Sequence, residues 1–136
     1  MPEKFFSADW VREALVAERK AGDEIYKRFK KPQTFTHILA FAVEDRPNLS
    51  TYLDYVEGRS RNWSVGPIDE TWVWARFAAP LDVWRSAAEG RAKASNLVIA
   101  RKIRLVKGGL MDAFETAQPF NLLVKSWGDV DTDWDV

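Results

Sequence analysis

TFTHILAFAVEDRPNLSTYLDYVEGRSRNWSVGPIDETWVWARFA, residues 34–78, is the stretch that decides the fold class. Aromatic and β-branched residues crowd it, and turn-forming residues cut it into pieces of strand length. Residues 34–45 read as one long strand whose two faces are both fairly apolar, which places it in the middle of a covered sheet. Arg46-Pro47-Asn48 reads as a turn. STYLDYVE (50–57) and RSRNWSV (59–65) follow as two strands joined at Gly58, a natural hairpin. Gly66-Pro67 breaks the chain, and TWVWARFA (71–78) makes a fourth strand.

On the N-terminal side the period changes from two to that of a helix. Ser7 can cap a helix running to about Lys20, with Asp9 favourably placed in its first turn. Trp10, Val11, Ala14, Leu15 and Ala17 follow helical spacing, while Arg12, Glu13, Arg19 and Lys20 face away. Gly22 is expected to end this helix. A short second one from Asp23 buries Ile25, Tyr26 and Phe29, and Lys30-Lys31-Pro32 stops it.

On the C-terminal side helical signals return. Pro80 suits a first helical turn, Asp82 favours its dipole, and Gly90 closes it after Leu81, Trp84, Ala87 and Ala88. A further short helix covers 94–100. KIRLVK (102–107) alternates apolar and basic residues, as a half-exposed fifth strand does. Gly108-Gly109 then turns the chain into a last helical region carrying Leu110, Met111, Phe114 and Ala117. Pro119 kinks or restarts it, and Phe120, Leu122, Leu123 and Trp127 continue its apolar face. Helix, helix, four strands, two helices, strand, helix is an α+β order, with a five-stranded, mainly antiparallel sheet covered by helices. There is no internal repeat and no low-complexity linker.

Composition narrows the function. The 136 residues are enough for one domain with a real core. No cysteine is present, so disulfides, thiolate metal sites and cysteine nucleophiles are excluded. Lys plus Arg and Asp plus Glu both count 20, giving no net charge and none of the basic excess of a nucleic-acid binder. No apolar run reaches the roughly 18 residues of a membrane span, and MPEKFFSADW lacks the pattern of a signal peptide. The expectation is a soluble, cytoplasmic protein. Seven Trp and eight Phe exceed what a minimal core demands. They fit either a bulky solid core or an aromatic wall around a ligand.

FSADWV near the start, PLDVWRSAAEGRAKASN (80–96) and KIRLVKGGLMDAF (102–114), in this order around the strand region, resemble the SCP2 family, the sterol carrier protein 2-like lipid-binding domains. The likeness covers residues 5–127. The chain departs from that pattern with Ala100 where glycine is usual, with Lys93-Ala94 in place of Asp-Pro, and with extra Trp in the strands. The resemblance implies a hydrophobic tunnel between a five-stranded sheet and its helices. It also implies a hydrophobic small-molecule partner: a fatty acyl chain, a sterol or a similar lipid. On this reading residues 1–128 are the lipid-binding domain and 129–136 an acidic C-terminal tail. The function implied is non-enzymatic binding, with transfer between membranes by transient contact as its extension. Two alternatives stand beside it: an accessory protein presenting a hydrophobic metabolite to a partner enzyme, and a small enzyme with a carboxylate in the pocket.

The residues expected to line the tunnel are Leu39, Phe41, Trp72, Trp74, Trp84, Leu105, Leu110, Met111, Phe114 and Phe120. Periodicity does not separate a lined tunnel from a filled core. Met111 and the kink at Pro119 mark the last helical region as an adaptable lid. Other candidates fall away. His37, the single histidine, lies mid-strand among apolar residues and reads as a structural, hydrogen-bonded side chain. No GxSxG, HExxH, P-loop or GxGxxG occurs, and no cofactor is expected. Asp129, Asp131 and Asp133 imitate the start of a calcium loop, but Trp134 stands where its glycine is required, so no metal site is expected. The basic clusters Lys27-Arg28-Lys30-Lys31 and Arg101-Lys102-Arg104-Lys107 read as solvated faces, with docking on an anionic membrane as the functional alternative.

Overall fold

The computed structural model describes residues 2–136. It opens with a two-residue strand, β1 (Glu3–Lys4), and then a helix, α1 (Ala8–Lys20). The Ser7 side chain accepts a hydrogen bond from the Trp10 backbone N–H and caps α1, as its position in the sequence demands. Trp10, Val11, Ala14 and Ala17 are buried. Gly22 does not end this helix but begins the next, α2 (Gly22–Arg28), which turns Ile25 into the core. A single 3-10 turn at Pro32–Thr34 shortens the first long strand, so that β2 runs over His37–Val43.

The expected turn at 46–48 lies two residues earlier. Asp45, with φ +64°, makes the reversal, and Arg46 already pairs with Val43 in β3 (Arg46–Val56). Pro47 is accommodated because the register jumps between the Ala42–Ser50 and Val43–Arg46 pairs, where no ladder donor is needed. Gly58, with φ +80°, turns β3 into β4 (Arg59–Val65). A side chain there would also strike Pro32, its Cβ falling 2.8 Å from the proline ring. A second 3-10 turn at Glu70–Trp72, capped by Asp69, delays β5 to Val73–Ala79.

Helices α3 (Leu81–Ala88) and α4 (Ala94–Ile99) follow, then a short β6 (Arg104–Lys107). The last helical region is two helices, α5 (Leu110–Glu115) and α6 (Ala117–Ser126), broken at Thr116. Pro119 sits in the first turn of α6, where its missing N–H has no intrahelical partner to lose. The sheet order is β4-β3-β2-β5-β6. The β2–β5 pair is parallel and the other three are antiparallel. Helices pack on one face, against Leu39, Phe41, Leu53 and Phe77. On the opposite face Ala40, Tyr52 and Val73 form a small cluster with Ile38 and Ile68.

The C-terminal residues are not a free tail. β7 (Thr132–Asp133) pairs in parallel with β1, closing a two-stranded sheet from the two ends of the chain. Val130 is buried, the Trp134 ring lies 4.4 Å from Phe5, and the Trp10 indole N–H donates to Thr132 Oγ1 at 3.0 Å. The Asp129 and Asp131 carboxylates face solvent. Trp127 then occupies the centre of the aromatic core, with Phe5, Phe6, Trp10, Phe41, Trp63 and Trp84 all within 6.0 Å. Trp84 donates its indole N–H to the Ala42 carbonyl at 2.8 Å, pinning α3 across the end of β2.

Candidate functional site

Alternation along β2 turns Leu39 toward the helices, between Leu53 of β3 and Ala75 of β5. The same alternation brings Tyr55 and Phe77 to that face. Phe29 and Phe35, on either side of the Pro32 turn, cover one end, and Phe120 of α6 covers the top. Together these six residues enclose an apolar cavity, closed at the α5–α6 junction by Thr116, Pro119 and Leu123. Its volume is about 20 Å³, room for one water and no more. Pockets that hold a drug-sized ligand measure roughly 300–1,000 Å³. In this conformation the space is therefore a small apolar void, not an open tunnel.

Of the ten residues expected at the tunnel, the cavity brings together Leu39 and Phe120. Phe41 and Trp84 are fully buried in the solid aromatic core; Phe41 stacks against Phe77 and Phe120 from behind the cavity wall. Trp74 stacks on His37 at 4.3 Å and meets Phe35 edge-on, beyond the cavity's end. Leu105 is half-buried on the edge strand. Trp72, Leu110, Met111 and Phe114 face solvent, with 64, 54, 70 and 46% of their surface exposed. The stepping i, i+2 from Leu53 to Tyr55 and from Ala75 to Phe77 was a signal for two of the missed wall residues. Helical spacing marked Phe29 as buried without naming its neighbours, and nothing local marked Phe35.

α5 and α6 differ in how firmly they are held. α6 buries Pro119, Phe120, Leu123 and Val124, and its Asn121 clamps α4 through Ser95, accepting from the Ser95 N–H at 2.7 Å and donating to Ser95 Oγ at 2.9 Å. α5 buries none of its residues. Its apolar side chains border a surface groove with Ile99 and Leu105, alongside Arg101 and Arg104. Arg104 is paired with Glu44 at 2.8 Å, and Lys107 donates to the Glu70 carbonyl.

His37 is held by ring stacking. Burial pushes its pKa below the ordinary value, with Asp112 opposing weakly, so the ring is neutral at neutral pH. The titratable group that the sequence reading overlooked is Glu18. It lies on the inner face of α1, four residues after Ala14 and seven after Val11, and is only 2% exposed. Burial raises its pKa above the usual carboxylate range, opposed by the neighbouring Ser60 hydroxyl and by Arg19 and Arg59. The Tyr55 hydroxyl is pushed well up, first by burial and then by the nearby Glu18 charge. Glu18 Oε2 and Tyr55 Oη have no hydrogen-bond partner.

A raised carboxyl pKa binds a proton more tightly in the folded chain than in the unfolded one. Stability is therefore expected to fall as pH rises from about 4.5 through the folded pKa of Glu18. Glu18→Gln should remove that decline and be more stable than the parent at pH 8, while the two match more closely at pH 4. Urea midpoints at the two pH values check this; a Gln variant that is less stable at pH 8 refutes it.

Among the described residues no helix is long and apolar enough to cross a membrane. At the level of sequence, neither a protein-family model nor a characterised protein matches the chain. Solved structures do. A conserved hypothetical protein of Thermus thermophilus, described as possibly a sterol carrier protein, is 23% identical. The alignment covers 98% of this chain and 94% of that one, with a TM-score of 0.72. The crystal structure of sterol carrier protein 2 gives 22% identity, coverage of 93% and 99%, and a TM-score of 0.78. The apo form of sterol carrier protein 2 from Yarrowia lipolytica gives 16% identity, coverage of 88% and 95%, and a TM-score of 0.50. Identities this low establish shared architecture.

Proposed function

We propose that this chain, which has the fold of sterol carrier protein 2, is a non-enzymatic binder and carrier of a hydrophobic small molecule. The observation that carries the reading is the apolar cavity between the sheet and α6, whose lining includes Thr116, the residue at which the poorly anchored α5 gives way to α6. Its wall holds no charged side chain, and its only polar side chains are the hydroxyls of Tyr55 and Thr116. Such a wall offers apolar contact and no acid–base pair to a reacting group.

Energetics favour a carrier. Transferring a sixteen-carbon chain from water gains about 13 kcal/mol, at about 0.8 kcal/mol per methylene. Most of that gain disappears when the donor is a bilayer, where the chain is already out of water. Part of the remainder opens the site. Displacing α5 costs little because it buries no side chain, whereas displacing α6 would dismantle the core. The adaptable lid is α5, hinged at Thr116. Native mass spectrometry of the protein as purified, without detergent, tests the reading. A bound lipid of a few hundred daltons, released on denaturation, is the expected result. A clean apo mass that persists after adding fatty acids, fatty alcohols and sterols would end it.

α5 also suits transient contact with a membrane. Leu110 and Phe114 are exposed beside Ile99, Met111 is exposed next to them in the sequence, and Arg101, Lys102, Arg104 and Lys107 lie in the same segment. Near an anionic surface each basic residue contributes about 1 kcal/mol. Met111→Asp should leave the unfolding free energy within about 0.5 kcal/mol, because the side chain is 70% exposed. Lipid uptake from phosphatidylserine-containing vesicles should slow several-fold. Unchanged uptake would place the contact elsewhere.

A further inference from the structure

Among the described residues five buried side-chain polar atoms have no partner: Glu18 Oε2, Thr51 Oγ1, Tyr55 Oη, and the indole nitrogens of Trp63 and Trp127. Only Tyr55 among these residues belongs to the cavity wall. A buried hydroxyl left unpaired is rare and requires an explanation. Tyr55 also lines the cavity, which has room for one water. The polar end of a bound ligand would take the place of that water.

We infer that the Tyr55 hydroxyl is the polar anchor of the ligand site, and that the site selects lipids with a neutral hydroxyl or carbonyl end over free fatty acids. The inference rests on the carrier reading and adds to it the chemistry of the ligand's head. Tyr55 Oη can donate to a carbonyl or alcohol oxygen, or accept from an alcohol O–H. Glu18 sets the sign of the selection. It stands over Ser60, the residue opposite Tyr55 in the β3–β4 register, and its charge is felt at the tyrosine. A fatty-acid carboxylate brought to Tyr55 would face this second buried acid.

The cations nearest Glu18 already act on it and hold other partners as well. Arg59 pairs with Asp23 at 2.7 Å and lies over the Tyr26 ring, and Arg19 donates to the Arg61 carbonyl at 3.1 Å. His37, opposite Tyr55 on β2, is stacked on Trp74 and uncharged at neutral pH. Asp112, the other charge near His37, is itself acidic. Among the described residues no cationic side chain lines the cavity to receive an anionic head.

The test measures binding of hexadecanol, hexadecanoate and hexadecane, presented from cyclodextrin at pH 8, to the wild-type protein and two variants. Wild type should bind hexadecanol about tenfold or more tightly than hexadecanoate. Tyr55→Phe should lose about tenfold for hexadecanol, the effect of one good hydrogen bond, with hexadecane binding unchanged. Its thermal midpoint should equal or exceed that of wild type, since the substitution removes an orphaned group. Glu18→Gln should improve hexadecanoate binding while leaving hexadecane alone. Equal hexadecanol affinity in wild type and Tyr55→Phe, or a wild-type preference for hexadecanoate, overturns the inference and leaves the carrier reading intact. Failure of wild type to bind any of the three overturns both.

Discussion

Trp127→Ala is expected to cost about 3–5 kcal/mol of unfolding free energy, a large share of what a domain of this size has to lose. The indole is 1% exposed and meets six other aromatic rings, contributed by the turn after β1, α1, β2, β4 and α3. Removing it leaves a cavity that those large, stiff side chains cannot collapse to fill. The site is also where the C-terminal residues are held down: Gly128 follows, so close to Ala88 that a Cβ there would fall 2.6 Å from its carbonyl oxygen. Loss of Trp127 should therefore loosen the β1–β7 pairing as well. Trp127→Phe keeps a ring and removes an indole N–H that has no partner, and should cost far less. Urea unfolding followed by far-UV circular dichroism separates the two. Comparable losses for Ala and Phe would show that shape at this position matters less than the ring contacts imply.

Leu39→Phe should reduce lipid affinity by about tenfold or more while the protein stays folded. Leu39 is the central wall residue on β2, flanked by Leu53 and Ala75. A phenyl ring there occupies the space of about 20 Å³ beside it and overpacks the wall slightly, at a cost of about 1–3 kcal/mol. The plugged site can no longer widen around an acyl chain. Ligand-linked stabilisation reads the effect: hexadecanol at a hundred times its dissociation constant should stabilise wild type by about 2.7 kcal/mol and the variant by much less. Equal stabilisation would mean that the ligand binds away from this cavity, and the solvent-exposed groove beside α5 would be the next place to look.

Most of the residues expected at the tunnel lie away from the cavity in this conformation, in two kinds of place and for different reasons. Phe41 and Trp84 were placed at a ligand but belong to the solid core, because periodicity reports which face a residue is on and not how far along it the packing closes. Trp72, Leu110, Met111 and Phe114 were expected inside and lie outside. In a six-residue helix apolar residues occur on more than one side, so spacing alone does not choose the buried one. Trp72 sits in a 3-10 turn whose orientation depends on the Asp69 cap and the start of β5. Glu18 is the reverse case. Its spacing from Val11 and Ala14 put it on the apolar face of α1, but a carboxylate is ordinarily assigned to solvent, and only the packing of α1 on β4 shows that it is covered.

By itself the sequence determined the elements and their order: the Ser7-capped helix, the Gly58 hairpin, the strand over 59–65, the helix ending before Gly90, and the α+β class with its lipid-carrier likeness. These follow from interactions between residues close along the chain, where caps, turns and side-chain period act directly. Only the tertiary structure decided that β5 lies parallel to β2, that Glu3 pairs with Thr132 across the ends of the chain, and that the cavity is nearly filled by its own walls. Those outcomes depend on surfaces meeting from distant parts of the sequence. Their free energy comes from close packing between partners that no local pattern names.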